Sequence, residues 1–181
     1  MNCTEFDIEG LVLIEPRRFH DDRGYFFESF NEEKYRALLG EQTVFVQDNV
    51  SCSKKNVLRG LHFQLPPFAQ GKLVSVLKGK VLDVAVDLRK DSKTFGQHAI
   101  VELSAENGLQ FYIPPGFAHG FVSLEEDTLF SYKCTNYYSP SHEETLLWND
   151  SKLGIDWKIV SPLLSAKDEI GKLFDTFVSP F

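Results

Sequence analysis

Short runs of β-prone residues, separated by turn residues, recur along most of this 181-residue chain. In the segment 81–88 the side chains alternate with a period of two. One face of the predicted strand carries Leu82, Val84, Val86 and Leu88, and the other carries Asp83, Ala85 and Asp87. Further strands are predicted at 11–14, 25–28, 43–47, 73–77, 98–103, 109–113 and 128–134. Because so many short strands occur in one chain, we expect a barrel or a jelly roll of two antiparallel sheets.

Helix signals are scarce by comparison. Asn31 is predicted to cap a short helix over 32–39, and the segment 165–168 has the spacing of a capping box at the start of a second helix. Lys78-Gly79-Lys80 predicts a hairpin turn between two strands. No repeat, low-complexity tract or linker divides the chain. We therefore predict one all-β domain over residues 1–181, with a few short helices.

The composition narrows the class of protein further. A hydrophobic content of 43% allows a full core, and the N-terminus has neither the basic nor the apolar region of a signal peptide. No apolar run is long enough to span a membrane. Three widely spaced cysteines without a CxxC pair predict neither a disulfide framework nor a thiolate metal site. Since the net charge of −7 argues against nucleic acid as a partner, we expect a cytoplasmic protein that binds neither nucleic acid nor membrane.

The segment 49–82 contrasts with the acidity of the whole chain, because it contains no Asp or Glu. Its basic residues are Lys54, Lys55, Arg59, Lys72, Lys78 and Lys80. A basic, acid-free segment in an acidic chain predicts a site for an anionic ligand. The residues alone leave open the alternative of a strand with a solvated basic edge.

A motif downstream, Gly108 followed by Pro114-Pro115-Gly116-Phe117-Ala118-His119, resembles the second motif of the cupin superfamily. The resemblance implies a cupin-like jelly-roll barrel with His119 at its mouth. Metal-binding cupins carry a His-x-His pair and a Glu in their first motif. Here those positions read His62-Phe63-Gln64 and Lys72. Because a lysine ammonium is not a metal ligand, we predict that the protein uses no metal. A metal-dependent cupin using His62, His119 and a further carboxylate is the alternative.

Ten segments narrow the resemblance to one family. They are 59–64, 66–67, 70–74, 83–89, 92–96, 114–121, 132–135, 137–138, 154–157 and 164–168. In order and spacing they resemble the dTDP-4-dehydrorhamnose 3,5-epimerase family over residues 10–168. The resemblance implies a cofactor-independent epimerase that inverts carbons 3 and 5 of a dTDP-linked 4-keto-6-deoxyhexose, in rhamnose biosynthesis. The alternatives are an epimerase of a single carbon and a non-catalytic protein that binds the nucleotide sugar.

The resemblance also implies the catalytic residues. His62 is the expected base, paired with Asp168, and Tyr132 is the expected acid. Lys72 is expected to stabilise the enolate oxygen. The residues alone also allow a buried core histidine at 62, a packed core tyrosine at 132, a surface lysine at 72 and a helix-capping role for Asp168.

Substrate binding is predicted to involve nine further residues: Arg23, Glu28, Gln47, Asn49, Arg59, His119, Tyr138, Glu143 and Lys167. One geometric problem arises, since strict alternation places Arg59 and His62 on opposite faces of a strand. We expect a bulge or bend at Gly60 to bring them to one face. Arg23 is also compatible with a plain exposed turn. The family resemblance further implies a homodimer, for which an exposed N-terminal strand at 11–14 could pair between subunits.

Overall fold

The computed structural model describes all residues from Met1 to Phe181. Its strands are β1 (Asn2–Glu5), β2 (Val12–Glu15), β3 (Arg18–Asp21), β4 (Gly24–Phe27), β5 (Gln47–Ser53), β6 (Leu58–Gln64), β7 (Lys72–Lys78), β8 (Lys80–Asp87), β9 (His98–Ser104), β10 (Gln110–Ile113), β11 (Phe117–Ser123), β12 (Thr128–Cys134) and β13 (Glu143–Thr145). The helices are α1 (Glu32–Leu39) and α2 (Ala166–Glu169), with 3-10 turns at Pro140–His142 and Phe174–Thr176. No helix is long and apolar enough to cross a membrane.

Two antiparallel sheets form the predicted jelly roll. The six-stranded sheet has the order β1-β2-β10-β7-β12-β5, and the five-stranded sheet has the order β13-β6-β11-β8-β9. β3 and β4 form a separate hairpin. Strand β8 is buried on both faces: Val81 and Ala85 pack in the cluster between the sheets, and Val84 and Val86 pack in a second cluster on the outer side. The predicted all-β fold is therefore confirmed.

The local predictions hold for most elements. Both helices begin at the predicted caps, since the Asn31 side chain accepts a hydrogen bond from the Lys34 backbone N–H and Ser165 accepts one from that of Asp168. The predicted strand at 43–47 is wrong, because β5 begins only at Gln47; of the residues before it, Val46 donates a backbone hydrogen bond to Cys134 of β12 at 2.9 Å. Thr43 instead donates to the Leu39 carbonyl oxygen of α1 at 3.0 Å, and Phe45 packs in a small cluster that includes residues of α1.

The hairpin predicted at Gly79 is also wrong. Strands β7 and β8 flank this glycine but belong to different sheets, so the turn carries the chain from one sheet to the other.

A further correction concerns the predicted strand at 11–14, which was expected to pair between subunits. Strand β2 pairs with β1 on one side and with β10 on the other, and its Ile14 is fully buried, so it is not free to pair between subunits. The edge strands of this sheet are β1 and β5.

The segment after α2 closes the outer side of the five-stranded sheet. Phe177 and Phe181 contact Phe63 of β6, with ring centroids 5.2 Å and 6.2 Å apart. The backbone N–H of Phe174 donates to the Asp150 carboxylate at 2.8 Å. This segment therefore covers the strand that carries His62, on the side away from the space between the sheets.

Asp87, at the end of β8, organises the loop that follows. Its buried carboxylate accepts hydrogen bonds from the Arg89 backbone and guanidinium, from Ser92 and from Thr94, at 2.6 to 3.0 Å. Burial alone would raise its pKa, but these bonds outweigh burial and lower the pKa to about 2. The Asp87 carboxylate therefore stabilises the folded state fully above about pH 4, and this stabilisation is lost as the pH falls towards 2.

We expect Asp87→Asn to lower the free energy of unfolding at pH 7 by about 2 kcal/mol. Urea unfolding of the variant and of the unaltered chain, at a series of pH values, measures the difference. The difference should shrink between pH 4 and pH 2, because the carboxylate becomes protonated there. Asp91→Asn, at an exposed position of the same loop, is the matched control. A difference that does not change with pH would contradict this account of Asp87.

Candidate active site

A cavity of about 400 Å³ opens between the two sheets. Eleven of the thirteen predicted site residues line it: Gln47, Asn49, Arg59, His62, Lys72, His119, Tyr132, Tyr138, Glu143, Lys167 and Asp168. Arg23 and Glu28 do not. The five-stranded sheet supplies His62 and His119, the six-stranded sheet supplies Lys72 and Tyr132, and α2 supplies Asp168. The barrel thus brings together residues that lie far apart in sequence.

His62 and Asp168 form a close pair, although they are 106 positions apart. His62 Nε2 lies 2.5 Å from Asp168 Oδ1, and the Ser165 hydroxyl donates to Asp168 Oδ2 at 2.7 Å. The backbone N–H of Asp168 in turn donates to Ser165 Oγ at 3.4 Å. Asp168 therefore belongs to the helix cap and also contacts the histidine, so the two alternatives from the sequence occur together.

The pair fixes which nitrogen of His62 is free. Because Nε2 faces a carboxylate, Nε2 carries the proton and Nδ1 keeps its lone pair. Burial lowers the pKa of His62 below its ordinary value, and the hydrogen bond to Asp168 opposes this only in part. Burial would raise the pKa of Asp168, but the hydrogen bonds from His62 and Ser165 hold it below its ordinary value. At neutral pH the site thus contains a neutral imidazole beside an ionised carboxylate.

Gly60 resolves the geometric problem of Arg59 and His62. Between β6 and β11, His119 pairs with His62 and Phe121 pairs with Arg59, so β6 contains one extra residue. The extra residue shifts the alternation, and both side chains line the cavity. Gly60 has a φ of +143°, and a Cβ there would lie 2.5 Å from the Cα of Gly120. Only glycine fits this close approach of two strands, as the sequence predicted.

Lys72 and Tyr132 lie on the sheet that faces His62. They occupy the neighbouring strands β7 and β12. Burial lowers the pKa of Lys72, while the nearby Cys134, Asp83 and Glu143 oppose this in part. Lys72 makes no ion pair with a carboxylate within 4 Å. Burial raises the pKa of Tyr132, so the phenol keeps its proton at neutral pH. One wall of the cavity therefore offers the amine of Lys72 and a phenol, and the other offers an imidazole.

Asp83 is a site residue that the sequence interpretation missed. It is fully buried, and its carboxylate oxygens lie 2.9 Å and 3.1 Å from Nε2 of His119. Burial raises the pKa of Asp83, and the contact with His119 opposes this. The available signal was the alternation of β8, which placed Asp83 on the same face as Ala85, whereas the hydrophobic residues Leu82, Val84 and Val86 lie on the other face. No group of three or more His, Cys, Asp or Glu residues is arranged to hold a metal ion.

The cavity mouth is a connected polar rim. Glu143 accepts hydrogen bonds from Tyr138 at 3.0 Å and from Lys167 at 2.8 Å. Gln47 donates to Asn49 at 3.1 Å and accepts from the Tyr138 backbone N–H at 2.9 Å. Five predicted binding residues therefore contact one another around one opening.

Arg23 and Glu28 lie outside this cavity. Arg23 is in the tight turn between β3 and β4, where it pairs with Asp21 at 2.5 Å and its side chain is 90% exposed. Glu28 pairs with Lys34 at 2.7 Å on the surface. The exposed turn that the sequence also allowed is thus the observed structure.

Comparison with known proteins gives a consistent result. The chain matches the family model described as dTDP-4-dehydrorhamnose 3,5-epimerase over residues 5–176. It is 57% identical over 169 residues to dTDP-4-dehydrorhamnose 3,5-epimerase of Salmonella typhimurium, covering 93% of this chain and 92% of the relative. These matches extend over nearly the whole chain, including most of the segment after α2.

Two solved structures bear on the site. The fold is similar to dTDP-6-deoxy-D-glucose-3,5-epimerase of Legionella pneumophila in complex with dTDP-4-keto-L-rhamnose, with a TM-score of 0.94, 50% identity, and coverage of 98% of this chain and 94% of that chain. It is also similar to a 3'-monoepimerase of Streptomyces bikiniensis in complex with dTDP-quinovose, with a TM-score of 0.89, 36% identity, and coverage of 94% and 87%.

Proposed function

The chain belongs to the dTDP-4-dehydrorhamnose 3,5-epimerase family, and from this we propose how its residues carry out the epimerisation. It is an isomerase whose substrate is a dTDP-linked 4-keto-6-deoxyhexose, as in rhamnose biosynthesis. The observation that carries the proposed mechanism is the position of His62 and Tyr132 on facing sheets across one cavity. Inversion of a carbon requires proton removal and proton return on opposite faces of the sugar ring, which two facing walls can provide.

In the proposed mechanism, His62 is the base. The ketone at carbon 4 acidifies the hydrogens on carbons 3 and 5. Nδ1 of His62 removes one of them as a proton, and the electrons of that C–H bond form the enolate. Asp168 holds the ring and stabilises the imidazolium that results.

Lys72 and Tyr132 complete the inversion. The Lys72 ammonium stabilises the negative charge on the carbon-4 oxygen, in a site where burial strengthens that interaction. The Tyr132 hydroxyl then donates its proton to the opposite face of the carbon. This leaves an imidazolium and a phenolate, and proton exchange with solvent restores both groups before the second carbon reacts.

Substrate binding is proposed for the remaining cavity residues. The Arg59 guanidinium suits a diphosphate because its planar donors match phosphate oxygens, and its Nε–H already donates to Ser53 at 3.1 Å. His119, buttressed by Asp83, and the rim residues Gln47, Asn49, Tyr138, Glu143 and Lys167 supply polar contacts to the sugar and the base.

Product analysis tests the function. The purified protein is incubated with dTDP-4-keto-6-deoxyglucose, and NMR determines the configuration at carbons 3 and 5. Inversion of both carbons is expected. Inversion at one carbon only would instead support the single-carbon alternative, and binding without inversion would support a non-catalytic binding protein. A stoichiometric metal whose removal abolishes inversion would replace our mechanism with that of a metal-dependent cupin.

We further propose a homodimer in which the β3–β4 hairpin of one subunit completes the cavity of the other. Three observations support this arrangement: Arg23 and Glu28 lie outside the cavity of their own chain, the hairpin forms a separate two-stranded sheet, and it exposes large aromatic side chains. The exposed aromatics are Phe19, Tyr25 and Phe26. A surface patch of this kind is typical of a protein–protein interface.

Complementation between two defective chains tests the dimer. We expect Arg23→Ala and His62→Ala to be severely impaired as separate proteins when the substrate is well below KM. When both chains are co-expressed, each mixed dimer would contain one intact site, so about one quarter of the unaltered activity should return with random pairing. Glu5→Ala in place of Arg23→Ala is the control. Glu5 lies on β1, in a different sheet from the hairpin, so co-expression with His62→Ala should give no more than the sum of the separate activities. Activity no higher than the sum of the separate proteins would contradict the shared site.

A further inference from the structure

Gln64 occupies the position where metal-binding cupins carry the second histidine of their first motif. It lines the cavity, and its amide binds backbone groups of two loops. The side chain is 5% exposed. Its Nε2 donates to the carbonyl oxygens of Phe68 at 2.6 Å and Tyr137 at 3.1 Å, and its Oε1 accepts from the backbone N–H of Ser139 at 2.7 Å. All the donors and one acceptor of a buried amide are thus used to bind backbone.

Two of these three bonds are made to the residues on either side of Tyr138. Tyr137 and Ser139 are both held by the same amide, and the Tyr138 backbone N–H donates to Gln47 at 2.9 Å. The backbone around Tyr138 is therefore fixed at three consecutive residues. The side chain itself is 52% exposed at the cavity mouth, where its hydroxyl reaches Glu143.

The third bond connects a second loop to the same amide. Residues 65–71 and 135–142, here called the rim loops, contribute Gln70 and Tyr138 to the cavity lining, and the Gln64 amide binds both loops. Asn136 adds one further link, from its side-chain amide to the Pro67 carbonyl oxygen at 3.2 Å. Gln64 is the last residue of β6, where it pairs with Glu143 of β13, so its side chain connects this end of the five-stranded sheet to the two loops.

We propose that Gln64 is a positioning residue for substrate binding, which holds Tyr138 and the two rim loops in the geometry that accepts the nucleotide part of the ligand. This inference rests on the proposed function. Gln64 does not contact the reacting carbons in this proposal, and it affects substrate binding through Tyr138. The expected signature is therefore a loss of affinity with little loss of kcat.

Gln64→Met tests the proposal, because methionine has a similar length but no hydrogen-bonding amide. We expect the Kd for dTDP, measured by calorimetry, and the KM for the sugar nucleotide to rise about tenfold, and kcat to change by less than about threefold. Thr128→Val is the matched control. Thr128 is fully buried and donates to the Glu125 carbonyl oxygen at 2.9 Å, near the opposite end of β12 from the rim. It should lower the melting temperature without changing the Kd.

A double-mutant cycle separates positioning from general damage. If Gln64 acts through Tyr138, then Tyr138→Ala should weaken dTDP binding strongly in the unaltered chain and only slightly in the Gln64→Met chain. Additive losses, an unchanged Kd in Gln64→Met, or an equal loss in Thr128→Val would each overturn the proposal.

A second variant keeps the test decisive if Gln64→Met does not fold. Gln64→Glu preserves the shape but places a carboxylate against two carbonyl oxygens. Protonation restores one donor, so dTDP binding should recover at pH 5 relative to pH 7.5 more than it does in the unaltered chain. No such recovery would count against the proposal. If the unaltered chain itself does not bind dTDP, the proposed function fails, whereas normal binding by all variants would refute only the role of Gln64.

Discussion

Replacing His62 with alanine is expected to lower kcat by about a thousandfold or more, because the variant lacks the only neutral base aimed at the substrate in the proposed mechanism. His62 is held by Asp168 at 2.5 Å, and its free Nδ1 belongs to a side chain that lines the cavity. KM should change far less, since no binding role is assigned to the imidazole. Initial rates with the 4-keto sugar nucleotide measure both constants.

The pH dependence of the unaltered enzyme adds a second expectation for His62. Activity requires the neutral ring, so kcat/KM should fall as the pH drops through the pKa of His62. Burial lowers that pKa, so the acid limb should have its midpoint below 6.5. His98→Ala, at a half-buried position on the outer edge strand β9, should keep both the rate and the profile. If His62→Ala retained more than about a tenth of the activity, another group would have to be the base.

Replacing Lys72 with methionine is expected to lower kcat by about 100- to 1,000-fold. The ammonium is the one cation of the six-stranded sheet that lines the cavity, and it faces the strand that carries His62. In the variant the developing charge on the carbon-4 oxygen would lie beside an apolar side chain in a partly desolvated site. The loss should appear in kcat rather than in KM, because the charge develops only as the proton leaves.

Lys78→Met is the matched control for Lys72, since Lys78 ends the same strand but is exposed and pairs only with Asp127 at 3.7 Å. It should leave kcat unchanged. A large rise in KM with an unchanged kcat in Lys72→Met would reassign Lys72 to substrate binding. An equal fall in both lysine variants would point to a general effect of charge.

The fold could be predicted largely from local patterns in the sequence. Alternation identified β8, and capping residues identified α1 and α2, because these signals act within a few residues. The turn at Gly79 was misassigned for a physical reason: a glycine between two strands permits a tight reversal or a crossing between sheets, and only long-range packing selects one. The prediction of a strand at 43–47 failed for a similar reason, since Thr43 bonds to α1 and Phe45 packs in a cluster with residues of α1.

The site required information that no local pattern contains. His62 meets Asp168 only because the barrel closes. Arg59 and His62 line the same cavity because β6 contains one extra residue. Family resemblance supplied these residues where periodicity could not. Asp83 was missed because a carboxylate on one face of an alternating strand usually faces solvent, whereas here both faces of β8 are buried. Arg23 and Glu28 lie outside the cavity of their own chain, so the structure of a single chain does not place them at the proposed substrate-binding site.

The origin of the returned proton tests the mechanism most directly. The unaltered enzyme and His62→Ala are incubated with dTDP-4-keto-6-deoxyglucose in heavy water, and NMR follows carbons 3 and 5. We predict one deuterium at each inverted carbon with the unaltered enzyme, and neither exchange nor inversion with His62→Ala. Inversion that retains the original hydrogen, or exchange that continues at its full rate without His62, would contradict an enolate formed by this histidine.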